Sequence, residues 1–207
     1  MINAKFYSPL LLAIYLPFSA AETLPLDDIE TWETHSFEGE SIYEWRADEQ
    51  CLLMRSDNTA SARIWEQTYP LDADTRLSWR WQQREGISGV DQRSKPGDDF
   101  SARIYVVVKH PLLFWRSRVL SYVHADVEPV DDFWPNPFTS QFQMWVVSNG
   151  DENQWHDIER TIQDDWYQAF GDRPERFHAI GLMVDSDNSG QSTSMCLSDL
   201  TVEHGDT

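Results

Sequence analysis

Polar and apolar residues alternate with a period of two along much of this chain. Leu77, Trp79 and Trp81 alternate with Ser78, Arg80 and Gln82, and Phe100, Ala102, Ile104, Val106 and Val108 alternate with Ser101, Arg103, Tyr105 and Lys109. Alternation of this kind turns one face of a strand inward and the other outward. Shorter runs over 42–45, 51–55, 62–67, 119–123, 142–148, 158–162, 177–184 and 195–202 predict further strands. About ten strands joined by polar turns predict an all-β fold, a β-sandwich of jelly-roll type. One short connecting helix is expected, with Asp164 and Asp165 as caps, Trp166, Tyr167 and Phe170 as its face and Gly171 as its end.

The first residues break this pattern. Lys5 precedes an apolar stretch from Leu10 to Leu16, followed by Pro17 and the small residues Ser19, Ala20 and Ala21. That order predicts a secretory signal peptide over 1–21, cleaved after Ala21 and too short in its apolar part to span a bilayer. Residues 22–207 contain no Pro/Gly/Ser-rich linker, internal repeat or second long apolar stretch, and read as a single β-sandwich domain. The expected location is periplasmic or secreted. The net charge is −19, from 35 acidic residues against 16 Lys and Arg, and removal of the leader takes away Lys5 and no acid. Such an excess of acid argues against nucleic acid and anionic membrane surfaces as partners, because both are held by basic clusters. A solvated acidic surface accounts for it equally well.

The motifs Trp79-Arg80-Trp81, Asp98-Asp99-Phe100-Ser101-Ala102-Arg103-Ile104-Tyr105-Val106, Glu159-Arg160, Phe170-Gly171 and Asp185-Ser186-Asp187-Asn188 follow one another in an order that resembles the bacterial domain of unknown function 3047 family. The resemblance runs from about Trp32 onward. It implies exported bacterial proteins with a β-sandwich fold, and carries over no activity and no catalytic residue. An aromatic often stands in that family where this chain has His124, after Tyr122-Val123.

Three constellations are candidates for chemistry. Asp98 and Asp99 stand at the start of a strand that also carries Arg103, whose fork can hold a carboxylate by two hydrogen bonds. The group reads either as an internal ion pair or as a clamp for ligand hydroxyls. Asp185, Asp187 and Asn188, followed by Ser189 and Gly190, begin like a loop wrapping a hard cation, so a structural calcium is one reading and an Asx-stabilised turn the other. A helix-loop-helix calcium site is excluded, because Cys196 stands where its bidentate Glu belongs. The third constellation is aromatic. Ten tryptophans in one small domain suit the stacking of sugar faces, although Trp79, Trp81 and Trp145 lie in apolar strands and are expected in the core. Trp115 and Trp134 lie in turn-rich segments and are expected to be exposed.

No Gly-x-Ser-x-Gly elbow or His-Glu-x-x-His pair is present, and the histidines at 35, 110, 124, 156, 178 and 204 are scattered. No cofactor is expected. Cys51 and Cys196 fall in an early and the last strand, where an oxidising compartment would allow a disulfide; two buried thiols are the alternative. These features predict a carbohydrate-binding-like protein whose partner is a polysaccharide or another polar envelope component, with Asp98, Asp99, Arg103, Tyr105, Trp115, His124 and Trp134 as candidate ligand-binding residues. The alternatives are a glycan-active hydrolase or lyase, using paired carboxylates or a carboxylate with Tyr105, Tyr122 or His124, and a structural or assembly partner of envelope proteins.

Overall fold

The computed structural model describes residues 20–150 and 152–204. The expected leader falls almost wholly outside them. The strands are β1 (Ala20–Thr23), β2 (Glu33–Glu38), β3 (Ile42–Arg46), β4 (Cys51–Asp57), β5 (Ala60–Trp65), β6 (Tyr69–Pro70), β7 (Arg76–Glu85), β8 (Phe100–Val108), β9 (Arg118–Ala125), β10 (Phe133–Pro135), β11 (Phe142–Asn149), β12 (Trp155–Thr161), β13 (Arg176–Phe177), β14 (Ala179–Asp185) and β15 (Ser192–His204), with one α-helix, α1 (Ile162–Phe170).

They form a jelly-roll type β-sandwich. The smaller sheet has the order β12-β7-β15-β4-β3, with β1 also against β15; the larger has the order β10-β11-β9-β8-β14-β5-β2. All pairings in the larger sheet are antiparallel except β9 with β11. The period-two pattern is the cause of this arrangement. Leu77, Trp79 and Trp81 from β7 and Met195 and Leu197 from β15 meet Ile104, Tyr122 and Leu182 from β8, β9 and β14, and this apolar layer is the main core. Trp79, Trp81 and Trp145 are buried as expected. Cys51 and Cys196 form a disulfide that ties β4 to β15, with Cα atoms 5.6 Å apart. Among the described residues no helix is long and apolar enough to cross a membrane.

Helix α1 ends as its sequence indicates. Gly171 adopts a left-handed conformation (φ 78°), and its N–H donates to the Tyr167 carbonyl. Its start differs from expectation. Thr161 is the N-cap residue, and Asp164 and Asp165 lie in the first turn. Asp165 is instead a buried acceptor for Arg160 and for the Tyr122 hydroxyl.

The outward face of the larger sheet is also largely covered. Ala60, Ala62, Tyr105, Val119 and Met183 form a second apolar cluster there, and Phe100, Val123, Ala125, Trp134, Met144 and Val146 a third. A sheet buried on both faces shows weaker alternation, as in β8 and β14, where all but two positions are buried.

Candidate functional site

On that outward face, the residues left partly uncovered line a groove that follows the strands. Two contiguous hollows of 330 and 380 Å³ make it up, sharing Phe37, Tyr105, Thr139 and Phe142. Strands β5, β8, β9 and β14 supply the floor. One wall comes from β2, through His35 and Phe37; the other comes from the segment around Asn136, Phe138, Thr139 and Phe142. From Arg103 to Lys109, along β8 and just past it, the groove extends about 20 Å.

Tyr105 lies on the floor, and its position depends on Gly181. Gly181 stands between Ile64 and Tyr105 in the strand ladder. A Cβ there would come within 2.7 Å of Ile64 Cδ1 and 3.0 Å of Tyr105 Cδ2, so a side chain at this position would push the ring out of place. The Tyr105 hydroxyl donates to Met183 Sδ at 2.8 Å, a weak acceptor, and burial raises its pKa well above the ordinary phenol range.

The end of the groove at the start of β8 is polar. Arg103 Nε donates to Asp185 Oδ1 at 2.8 Å and Nη2 donates to Asp185 Oδ2; Nη2 also donates to the Asp98 carbonyl at 2.6 Å. Asp98 Oδ2 accepts from Asn136 Nδ2 at 2.7 Å, which fixes the wall segment to the sheet. Asp99, fully buried, accepts from the backbone N–H groups of Asn188 (3.2 Å) and Ser189 (2.6 Å), so it holds the turn after β14. Burial pushes the Asp185 carboxyl up to about 7, against the pull of Arg103. Asp187, half-buried beside it, is also raised, first by burial and then by the neighbouring Asp99. The opposite end carries Trp115, which is 61% exposed, and a Lys109–Glu66 ion pair of 2.6 Å.

A family model described as Protein of unknown function (DUF3047) matches residues 30–201. The chain belongs to that family. No curated protein matches it in sequence. Among solved structures, DUF3047 as represented by this chain is similar to TmCBM61 in complex with beta-1,4-galactotriose (9% identity, 86% of this chain and 90% of that one, TM-score 0.39). It is similar to the xyloglucanase domain of NopAA, a type three effector from Sinorhizobium fredii, in complex with cellobiose (10% identity, 84% and 93%, TM-score 0.45). A native family 12 xyloglucanase from Bacillus licheniformis is a further similar chain (8% identity, 84% and 100%, TM-score 0.40).

In this DUF3047 member, Asp98, Arg103, Tyr105 and Trp115 come together along one groove, while the buried Asp99 is not among its lining residues and accepts from Asn188, which is. Two expected ligand-binding residues do not. His124 has the same parity as Leu120 and Tyr122 and therefore points between the sheets, where Nδ1 bonds Ser148 Oγ at 2.8 Å. Trp134 is 6% exposed, because β10 pairs with β11 and the Arg93 guanidinium lies 4.4 Å from its ring centroid. Asp185, Asp187 and Asn188 do adjoin the groove, but both oxygens of Asp185 accept from Arg103 and the Asn188 amide donates to Asp99 at 3.1 Å. Phe37, Asn136, Phe138 and Phe142 are groove residues that the sequence reading missed. Phe37 is the one apolar side chain in the otherwise polar β2, and that isolation is the signal that could have marked it.

Proposed function

We propose that this protein binds a glycan along the groove, outside the cytoplasm, without cleaving it. The observation that carries the reading is the combination within one groove of aromatic rings (Phe37, Tyr105, Trp115, Phe138, Phe142) and a hydrogen-bonding end (Asp187, Asn188). The disulfide and the leader expected over 1–21 support export.

Binding is favoured over hydrolysis by the state of the acids. A glycosidase needs two carboxyl groups roughly 5–9.5 Å apart flanking the bond. Asp185 and Asp98 are buried and held by Arg103 and Asn136, while Glu66 sits at the opposite end, paired with Lys109. Among the described residues lining the groove, Asp187 is thereby left without a free opposing carboxyl group.

The test is isothermal titration of the mature protein against a panel of oligosaccharides, with product analysis after prolonged incubation. The expected result is binding to at least one glycan, weakened at least tenfold by Trp115→Ala or Asp187→Ala, with no new reducing ends. Release of shorter sugars that stops in Asp187→Ala would overturn the non-catalytic reading.

A further inference from the structure

The two halves of the groove differ in chemistry, and the difference constrains the ligand. In the half toward Trp115 the floor is made of Ala62, Ile64, Val107, Val119 and Ala179. These side chains offer no hydrogen bond. Sugar hydroxyls pressed against them would lose water without gaining a partner, which is unfavourable for each group so buried. The polar side chains of this half, including His35, Lys109 and Gln141, come from the walls and the ends. Tyr105, with only a thioether to accept its proton among the described residues, stands where this half meets the polar one.

The other half keeps an apolar lining from Phe37, Ala60, Phe138, Phe142 and Met183 and adds a charged and amide-bearing end. Its cation is Arg103, whose guanidinium donates to Asp98 and Asp185 and lies 4.5 Å from the Phe100 ring centroid, so its charge is already engaged. The polar side chains left facing a ligand, Asp187 and Asn188, are acidic or neutral, whereas the buried Asn136 amide is engaged by Asp98 and the Phe138 N–H. A phosphate or carboxylate head group would meet repulsion there, whereas neutral hydroxyls would find acceptors.

We infer that the ligand is an amphiphile, a neutral saccharide carrying an alkyl or acyl chain, with the sugar at the Asp187–Asn188 end and the chain along the Val107–Ala179 floor toward Trp115. This deepens the glycan reading above and rests on it. The groove is long enough for both parts, at about 20 Å of extended strand.

The experiment compares octyl glycosides of glucose, galactose and N-acetylglucosamine, below their micellar concentrations, with the matching methyl glycosides and with octanoate, by isothermal titration. An octyl glycoside is expected to bind at least tenfold tighter than its methyl counterpart and than octanoate. Val107→Asp, on the floor, should remove that advantage, and Trp115→Ala, on an exposed ring, should reduce it should the floor variant fail to fold. Equal binding of octyl and methyl glycosides, with oligosaccharides still bound in the groove, would overturn the amphiphile and leave the glycan reading standing. Octanoate binding as tightly as the octyl glycosides would overturn both, since the sugar would then contribute nothing. No binding by any probe or oligosaccharide would also overturn both.

Discussion

Arg103 and Asp185 form a two-point ion pair that is almost entirely sealed from solvent, with the residues 3% and 1% exposed. The pair joins β8 to β14 across the sheet, and Asp98 closes it from the strand start. A buried pair of this sort contributes little relative to apolar replacements, yet removing one partner strands a charge. Arg103→Met is therefore expected to destabilise the fold by about 3–5 kcal/mol, and the double replacement Arg103→Met with Asp185→Leu by much less. Urea unfolding of the two variants checks this. Equal losses would show that packing of the Arg103 stem, not charge, is what matters.

His124 should make stability depend on acid. Its ring lies between the sheets near Trp81 and His156, its Nε2 is buried without a hydrogen bond, and burial, reinforced by His156, pushes its pKa from 6.5 to about 4. Between those values the unfolded chain holds the proton that the folded one refuses. Stability is thus fully present above pH 6.5 and falls as the pH drops toward 4, by up to about 3 kcal/mol. Asp185, raised to about 7, acts in the opposite sense, contributing stability that is lost as pH rises through 7. The informative quantity is accordingly the difference between wild type and His124→Phe, which should narrow or reverse from pH 7 to pH 4.5 in favour of the variant. A constant difference would place the titration elsewhere.

The disulfide closes a loop with a sequence separation of 145. Constraining the unfolded chain to that extent stabilises the domain by about 5 kcal/mol in the chain-entropy view. Replacing Cys51 and Cys196 with Ala should lower the thermal midpoint by roughly 10–20 °C for a domain of this size. A midpoint within a degree of wild type would mean that the unfolded chain is already compact.

Calcium is expected to leave the midpoint unchanged. Asp99, Asp185 and Asp187 bring carboxylate oxygens within 4.8 Å of one another, but Asp185 is held by Arg103 and Asp99 by the turn it supports. Scanning fluorimetry with millimolar calcium and then with chelator checks this. A rise of several degrees would mean that a cation competes successfully with the guanidinium.

The sandwich was legible because apolar residues recur at every second position in the strands that face the core. Alternation marked β8 over its full length and β7 over Leu77–Gln82 of Arg76–Glu85. Strand β2 was not, because all six of its residues, Glu33–Glu38, are exposed at the sheet edge and carry no alternation to detect. The Arg103 group was legible as an ion pair from its spacing to Asp98, but the principal partner, Asp185, lies 82 positions away and is brought there by strand order. The groove was only half legible for the same reason. Tyr105 and Trp115 could be singled out one by one, whereas the facing wall of Asn136, Phe138 and Phe142 exists only once β11 is placed beside β9. His124 was misread as a ligand-binding residue, although its parity along β9 is that of the buried Leu120 and Tyr122.

The parallel pairing of β9 with β11 has an evolutionary reading. Two parallel neighbours cannot be joined by a tight turn, so the chain over 126–141 has to travel back the length of the sheet before β11 begins. On the way it lays Asn136 and Phe138 along the groove, held to the sheet there by Asn136 and Asp98. One wall of the groove is therefore a detour imposed by connectivity. On the proposed glycan-binding reading, insertions or exchanges within that detour would redraw ligand preference while the hydrogen-bonded ladder beneath stayed the same, which makes 126–141 the segment in which relatives of this chain should diverge most readily in what they recognise.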